Sequence, residues 1–313
     1  MHLFFTKKGI DPHYFWHILL YPLFPKFYYT RQNAKRLLRR LYTVLGWFVA
    51  LFRYACLRRK GTVLQVAEIV VTEKCTLRCK DCGNLMQYYH KPHNRPMEAV
   101  LDDAAALLSH IHSLLTIHIL GGEPLCHPQL AEIIDSFVQC EKVRDVRIIS
   151  NGTIIPSEAV LQAMQHPKVS LRFSLYSAAP QKIETLERLC IERGIRYEVF
   201  PVTWCSFGDL EKRNYSPEML QKSFDTCAHK YKTLLGGYLY GCPRAAHAAN
   251  LGVLPLGSDA IDVRNPTNFA AECKRLRKKP YAACDYCTAP WLREPVTPGI
   301  QAEAPLTYTG KPI

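Results

Sequence analysis

Cys75-Thr-Leu-Arg-Cys79-Lys-Asp-Cys82 is the stretch on which the reading of this 313-residue chain turns. Three cysteines, with three and then two residues between them, follow a run of apolar, β-branched side chains at 67–72 that reads as a strand. Thiolates at this spacing can wrap one corner of a cubane iron–sulfur cluster. Four would close the cluster; three leave one iron open to an exchangeable ligand. The same cysteines also read as part of a zinc site, which wants four Cys or His ligands, often in paired C-x-x-C units. On spacing alone both readings stand.

Outward from this loop the chain alternates. Strand-like runs at 67–72, 115–120, 146–150, 169–174 and 196–202 are separated by amphipathic helical runs at 97–112, 128–140, 156–165 and 180–193. That order implies parallel strands joined by helical crossovers, hence an α/β fold with a partial (β/α)6 barrel whose working face lies at the C-terminal strand ends. The chemically suggestive residues follow those ends: Cys75, Gly121, Asn151, Ser177 and Cys205. The expected organisation is a basic helical segment at 1–66, the barrel core at 67–210 and a small, irregular, cysteine-bearing domain at 211–313.

Over roughly 66–210 the chain resembles the radical S-adenosylmethionine (SAM) enzymes. Cys75, Cys79 and Cys82 match the family's cluster loop, and Gly121-Gly122-Glu123-Pro124, one strand later, looks like its GGEP motif. Glycines let a backbone approach a ligand closely, and an acid beside an ammonium gives a charge-assisted bond. Ser150 and Asn151, within Ile-Ser-Asn-Gly-Thr, and Ser174, within Phe-Ser-Leu-Tyr-Ser, resemble the segments lining the SAM space at the third and fourth strands. The resemblance implies a [4Fe–4S] cluster on the three cysteines. It also implies SAM on the open iron, an electron from a flavodoxin or ferredoxin, reductive cleavage to a 5′-deoxyadenosyl radical, and hydrogen abstraction from a substrate. One residue departs from the pattern: the position before the third cysteine is commonly aromatic in the family and is Asp81 here. Adenine packing must then come from elsewhere. Tyr88, Tyr89, His90, His93 and Arg95, just after the loop, are either substrate contacts or a solvated loop.

The last third holds Cys227, Gly237, Cys242, Cys284 and Cys287. This resembles the twitch domain, the shortened form of the SPASM auxiliary-cluster domain. It implies a second, auxiliary [4Fe–4S] cluster ligated by Cys227, Cys242, Cys284 and Cys287, with no open iron and a part in passing electrons. A structural zinc ribbon on the same four thiols is the alternative. Of the six other cysteines, Cys126 and Cys205 follow strand ends and are candidate hydrogen-atom donors. Cys56, Cys140, Cys190 and Cys273 read as small buried hydrophobes.

Composition bounds the rest. With 48% hydrophobic and 21% charged residues, disorder, collagen and small disulfide scaffolds are excluded. Thirteen cysteines without an evident cleavable signal point to metal or redox chemistry in a cytoplasmic setting rather than disulfides. Of the net charge of +13, +11 lies in residues 1–67, where twelve Lys and Arg face a single acid, Asp11. A nucleic-acid binder carries its charge around its working site, so nucleic acid is not the expected partner. Residues 33–59 read as a basic amphipathic helix whose longest uncharged run, 41–52, is too short to span a bilayer, which needs about 20 residues. Such a helix suits a peripheral position at the inner face of the membrane, or else packs on the barrel. The expected activity is oxidation or epimerisation of a sugar- or polyol-type small molecule or glycan precursor. A ribosomal-peptide maturase and a non-catalytic iron–sulfur or zinc protein are the alternatives.

Overall fold

The computed structural model describes residues 52, 54–228 and 231–308. The sequence reading of 1–51, including most of the basic amphipathic segment, lies outside them. Among the described residues no helix is long and apolar enough to cross a membrane.

Five strands come first: β1 Val63–Thr72, β2 Ser113–Gly121, β3 Val143–Ser150, β4 Val169–Leu175 and β5 Tyr197–Pro201. All four neighbouring pairs are parallel. Helices α1 Met97–Ser109, α2 Leu130–Gln139, α3 Glu158–Met164 and α4 Ile183–Arg193 form the crossovers. β2 is buried along its whole length, as a parallel strand covered on both faces must be. Cross-strand register puts Glu68 beside His118 and His118 beside Arg147. A row of ionisable residues on one face shows which side looks into the barrel interior, since the helix-covered side takes only apolar groups. β1, β2 and β3 begin four, two and three residues earlier than the alternation suggests, β4 begins as expected and β5 one residue later, while α1 begins as expected and α2, α3 and α4 two to three residues later. Ser157, whose hydroxyl accepts from Val160 N, caps α3, so Pro156 lies outside it. Gly194, at φ 66°, ends α4 in a left-handed turn.

The C-terminal third is more regular than its composition suggests. It contains α5 Pro217–Thr226, α6 Pro243–Asn250 and α7 Phe269–Arg275, and three short strands, β7 Thr233–Leu235, β8 Tyr238–Tyr240 and β9 Ala260–Asp262. These extend the same sheet, in the order β5-β4-β3-β2-β1-β7-β8-β9. β7 runs parallel to β1, pairing Thr233 with Glu68, which makes a sixth parallel strand. Gly236 and Gly237, both at positive φ, make the tight turn to antiparallel β8. A separate ribbon joins β6 Trp204–Cys205 to β10 Pro295–Val296. The architecture is α/β, a partial (β/α)6 barrel whose sheet continues without a break into the cysteine-rich third.

Candidate active site

The ends of β1, β2 and β3 meet through backbone contacts that glycine makes possible. Gly122 N donates to Thr72 O (2.9 Å) and Glu123 N to Lys74 O (2.8 Å). A Cβ on Gly121 would stand 2.1 Å from Thr72 O, and one on Gly122 2.4 Å from Lys74 O, so neither position tolerates a side chain. Glu123 is fully buried. Its carboxylate accepts from Leu125 N (3.1 Å) and Asn151 N (2.6 Å), and burial raises its pKa to about 7. Pro124 opens the 3-10 turn that follows. Asn151 then reaches across to the cysteine loop: its Nδ2 donates to Thr76 Oγ1 (3.1 Å) and Cys75 Sγ (3.5 Å), while its Oδ1 accepts from Thr153 N (3.0 Å). The buried Ser150 hydroxyl accepts from Gly152 N (3.0 Å). Three strand ends are thus tied into one polar knot beneath the first thiol.

The cysteine loop is wound tightly. Cys82 N donates to Cys79 O, Leu85 N to Cys82 O, and Leu85 adopts a left-handed φ of 60°. Burial raises the pKa of all three thiols, Cys79 to about 11, and neighbouring sulfurs add to the rise at Cys75 and Cys79. Such thiols ionise when a cationic centre ligates them.

One cavity of about 390 Å³ gathers most of the residues read from the sequence. Its walls include Cys75, Cys79 and Cys82, then Gly121, Gly122, Ser150, Asn151 and Ser174. Cys227, Cys242, Cys284 and Cys287 line the same space, as does Cys205. Cys242 is the N-cap of α6, its Sγ accepting from Ala245 N (3.3 Å) with Pro243 next in line. Cys284 and Cys287 belong to a 3-10 turn, Ala282–Tyr286, and its cap. Burial pushes Cys284 up to about 12, with Cys287 and Cys227 raising it further, and Cys242 feels Cys287, Cys284 and Cys227 in turn. The four sulfurs are therefore mutual neighbours. Among the described residues no three or more Cys, His, Asp or Glu side chains lie close enough to share a single ion. For a cubane, whose thiolates sit on different irons, the donor sets fit: three thiols on one loop beside two glycines on the cavity wall, and four further thiols lining the same cavity.

Glu123, Pro124 and Cys126 do not line this cavity. Cys126 lies in the 3-10 turn after β2, with its thiol raised to about 11 by burial. His90 is exposed, and His93 is an exposed partner of buried Glu73 at 2.7 Å. Tyr88 and Tyr89 are not a solvated loop. Both are buried, and the Tyr89 hydroxyl bonds His247 Nδ1 (2.9 Å) and accepts from Asn250 Nδ2 (3.0 Å).

Sequence reasoning missed Glu68, Tyr176, Trp204, Phe207, Arg244 and Arg293, all on the cavity wall. Tyr176 and Trp204 pack edge to face at 5.2 Å, and a Cβ on Gly83 would lie 3.6 Å from the Phe207 ring. Aromatic surface thus stands beside the cysteine loop although Asp81 replaces the local aromatic. Arg244 donates to the Gly208, Asp209 and Tyr286 carbonyls and lowers the pKa of both Cys82 and Cys287, so its charge acts on a thiol of each group. None of these residues carries a local signal; Glu68 comes from β1, Trp204 from β6, Arg244 from α6 and the others from loops.

Residues 69–200 of this chain match the Radical SAM superfamily model. Relatives include a GTP 3′,8-cyclase of Aquifex aeolicus, 24% identical over 139 residues, 44% of this chain and 42% of that protein. A GTP 3′,8-cyclase of Stenotrophomonas maltophilia is 30% identical over 98 residues, 31% of this chain and 29% of that one. The chain thus matches about two fifths or less of the length of these relatives. Among solved structures, BtrN in complex with AdoMet and 2-DOIA aligns with 79% of this chain and 98% of its own at 15% identity and a TM-score of 0.48. Streptococcus suis SuiB bound to S-adenosylmethionine aligns with 86% and 83% at 13% identity and 0.42.

Proposed function

We propose that this chain is a SAM-cleaving oxidoreductase acting on a sugar- or polyol-type substrate held between two iron–sulfur clusters. The observation that carries this reading is the single cavity walled by both cysteine sets. When bound, a [4Fe–4S] cluster on Cys75, Cys79 and Cys82 with SAM supplies the 5′-deoxyadenosyl radical that abstracts hydrogen from a substrate C–H bond.

The chain's own residues do the rest. Gly121 and Gly122 present bare backbone to the ligand on the open iron, and Asn151 fixes Cys75 and Thr76 against it. Glu123 acts through Asn151 and Leu125, whose N–H groups it fixes. Tyr176, Trp204 and Phe207 offer ring faces for an adenine and exclude water from the radical. Ser150 and Ser174 supply hydroxyl-sized polarity at two strand ends. Cys227, Cys242, Cys284 and Cys287, on the wall of the same cavity, would hold an auxiliary cluster, which would supply an electron acceptor for the substrate. The close sulfur neighbourhood favours a cubane over a lone zinc ion, which would need four ligands converging at Zn–S distances of about 2.3 Å. The cyclase relatives are named for GTP, whose ribose is itself a polyol, which supports this substrate class. Epimerisation is the second reading. Cys205 favours it, because its thiol lines the cavity and can return a hydrogen atom, whereas Cys126 stands outside. The basic segment at 33–59 brings the enzyme to an anionic membrane surface carrying a glycan precursor. Deleting 1–51 is then expected to abolish sedimentation with anionic vesicles while SAM cleavage persists.

Iron and sulfide analysis after anaerobic reconstitution tests the core of this reading. About eight irons per chain, falling to about four when Cys75, Cys79 and Cys82 become Ala, is the expected result for two cubanes. Reduced protein should also convert SAM to 5′-deoxyadenosine. Iron without 5′-deoxyadenosine would make the chain an electron carrier and sink the proposal.

A further inference from the structure

Residues 298–308 lie as a strap across the three-cysteine loop, more than two hundred positions away in sequence. Lys80 N donates to Ile300 O (2.8 Å) and Ala302 N to Arg78 O (2.7 Å), so that Cys79 and Gln301 form an antiparallel bridge pair. Beyond it, Leu306 N donates to Gln87 O (2.8 Å) and the Tyr308 hydroxyl to Leu251 O (2.6 Å). Ahead of it, Ala178 N donates to Pro298 O (3.2 Å). Gly299, at φ +90°, makes the turn into the strap; a Cβ there would stand 3.0 Å from Tyr176 Cβ and 3.1 Å from Ala179 Cβ.

One side chain of this strap reaches a sulfur. Gln301 Oε1 accepts from Arg78 N, while its Nε2 donates to Gly299 O (2.6 Å) and to Cys79 Sγ (3.4 Å). The amide is therefore held at both ends, with one N–H fixed on the thiol. Cys79 is buried while Gln301 is exposed, so the bond sits at the solvent edge of the loop with its sulfur end withdrawn from water.

We propose that Gln301 is a positioning residue that sets the reduction potential of the cluster on Cys75, Cys79 and Cys82. This inference rests on the three-cysteine part of the proposed function. Adding an electron to a cluster places more negative charge on its thiolates. A fixed N–H aimed at one of those sulfurs stabilises the reduced form and raises the potential. Gln301 thereby eases reduction of the cluster by its electron donor, and the backbone bridge around it covers one edge of the loop.

The test uses the full-length protein, reconstituted anaerobically, with iron counted per chain and the midpoint potential read by an EPR-monitored redox titration. The signal that changes when SAM is added belongs to the cluster with the open iron, which separates it from the auxiliary one. Gln301→Leu removes the donor and is expected to make one-electron reduction roughly tenfold less favourable, about 59 mV more negative. Gln301→Glu keeps the acceptor for Arg78 N but replaces the donor by a carboxylate, and its shift is expected to be larger in the same direction. Tyr308→Phe loosens the strap without touching the sulfur and should leave the potential where it is. If Gln301→Leu sheds iron, the Glu variant supplies the measurement. Potentials equal to wild type in Gln301→Leu and Gln301→Glu, with iron retained, would overturn the assignment while leaving the cluster reading intact. Absence of any SAM-responsive signal in the unaltered chain would overturn both, and is told apart by appearing without a substitution.

Discussion

The two groups of thiols that line the cavity are built in opposite ways. Cys75, Cys79 and Cys82 fall within eight consecutive positions on one wound loop, held by Asn151 from the end of β3 and Gln301 from the strap. Cys227, Cys242, Cys284 and Cys287 come from the end of α5, the N-cap of α6 and a 3-10 turn. The first set is one local structure with distant supports. The second exists only because β7 and β8 join the sheet beside β1 and because Asp259 accepts from Ala282 N (2.7 Å) and Ala283 N (2.9 Å) to fix the turn. The lesson is that a compact motif can be read without its surroundings, while a dispersed one takes its meaning from the fold. The difference also bears on function: a short loop can leave one position open to a ligand, whereas a site closed by four thiols from three elements has none to spare.

The sharpest way to break this comparison is to remove each set in turn. Replacing Cys75, Cys79 and Cys82 by Ala should abolish 5′-deoxyadenosine formation altogether, measured by chromatography of reduced reactions. Replacing Cys227, Cys242, Cys284 and Cys287 should leave cleavage within about tenfold of wild type and halve the iron, if the second set serves only as electron acceptor. Next in size is Asn151→Ala, which removes the side chain joining the β3 end to Cys75 and Thr76. A loss of about 10–100-fold in SAM cleavage is expected, in line with other outer-shell contacts to metal ligands, and an unchanged rate would make the polar knot purely architectural. Gly121→Ala should cost about 3 kcal/mol of stability by forcing a Cβ onto the Thr72 carbonyl, read from denaturant unfolding.

A pH experiment sharpens the picture of the cavity floor. Burial raises the Glu68 carboxyl from 4.5 to about 7, partly offset by the hydrogen bond from Thr233 Oγ1 (2.8 Å). The folded state therefore holds this proton more tightly than the unfolded chain. The associated stability is fully present below about pH 4.5 and is lost as the pH rises to about 7, an effect of up to about 3 kcal/mol. Glu68→Gln, which keeps an acceptor for Thr233, should flatten that slope in unfolding curves between pH 5 and 8. The smallest expected effect separates the two single thiols. Cys126→Ser should leave solvent deuterium incorporation into product unchanged, whereas Cys205→Ser should reduce it if epimerisation occurs; equal behaviour would remove Cys205 from the chemistry.

Much of the core was legible because it is periodic. β1 through β4 and α1 through α4 each bury an apolar set long enough to register as a pattern, β5 half-buries Tyr197 and Val199 against it, and the expected parallel order is the one observed. The glycines at 121 and 122 were legible for a related reason, since a pair of glycines at a strand end signals close backbone approach. β7, β8 and β9 were not legible: each is three residues long, too short for alternation to show. Trp204, Phe207 and Arg244 were missed because nothing in their own neighbourhoods marks them as cavity residues. Gln301 was missed because an amide in a stretch rich in Pro, Gly and Ala carries no signal until its partner sulfur is known. The Glu123 carboxylate is read from sequence as a ligand contact, and in the structure it accepts two backbone N–H groups instead, since at full burial a carboxylate has to find donors within the chain.

The sequence by itself determined that three thiols would share one turn after a buried strand, that glycines would follow the next, and that the strands would run parallel with helices between them. Those features depend on spacing and periodicity over a few residues. Only the tertiary structure decided that eight thiols open onto one cavity, that Arg244 acts on a thiol of each group, and that the strap at 298–308 crosses the first loop. Each of these depends on contacts between positions tens to hundreds of residues apart, where burial energy of the whole sheet, rather than any local preference, selects the partner.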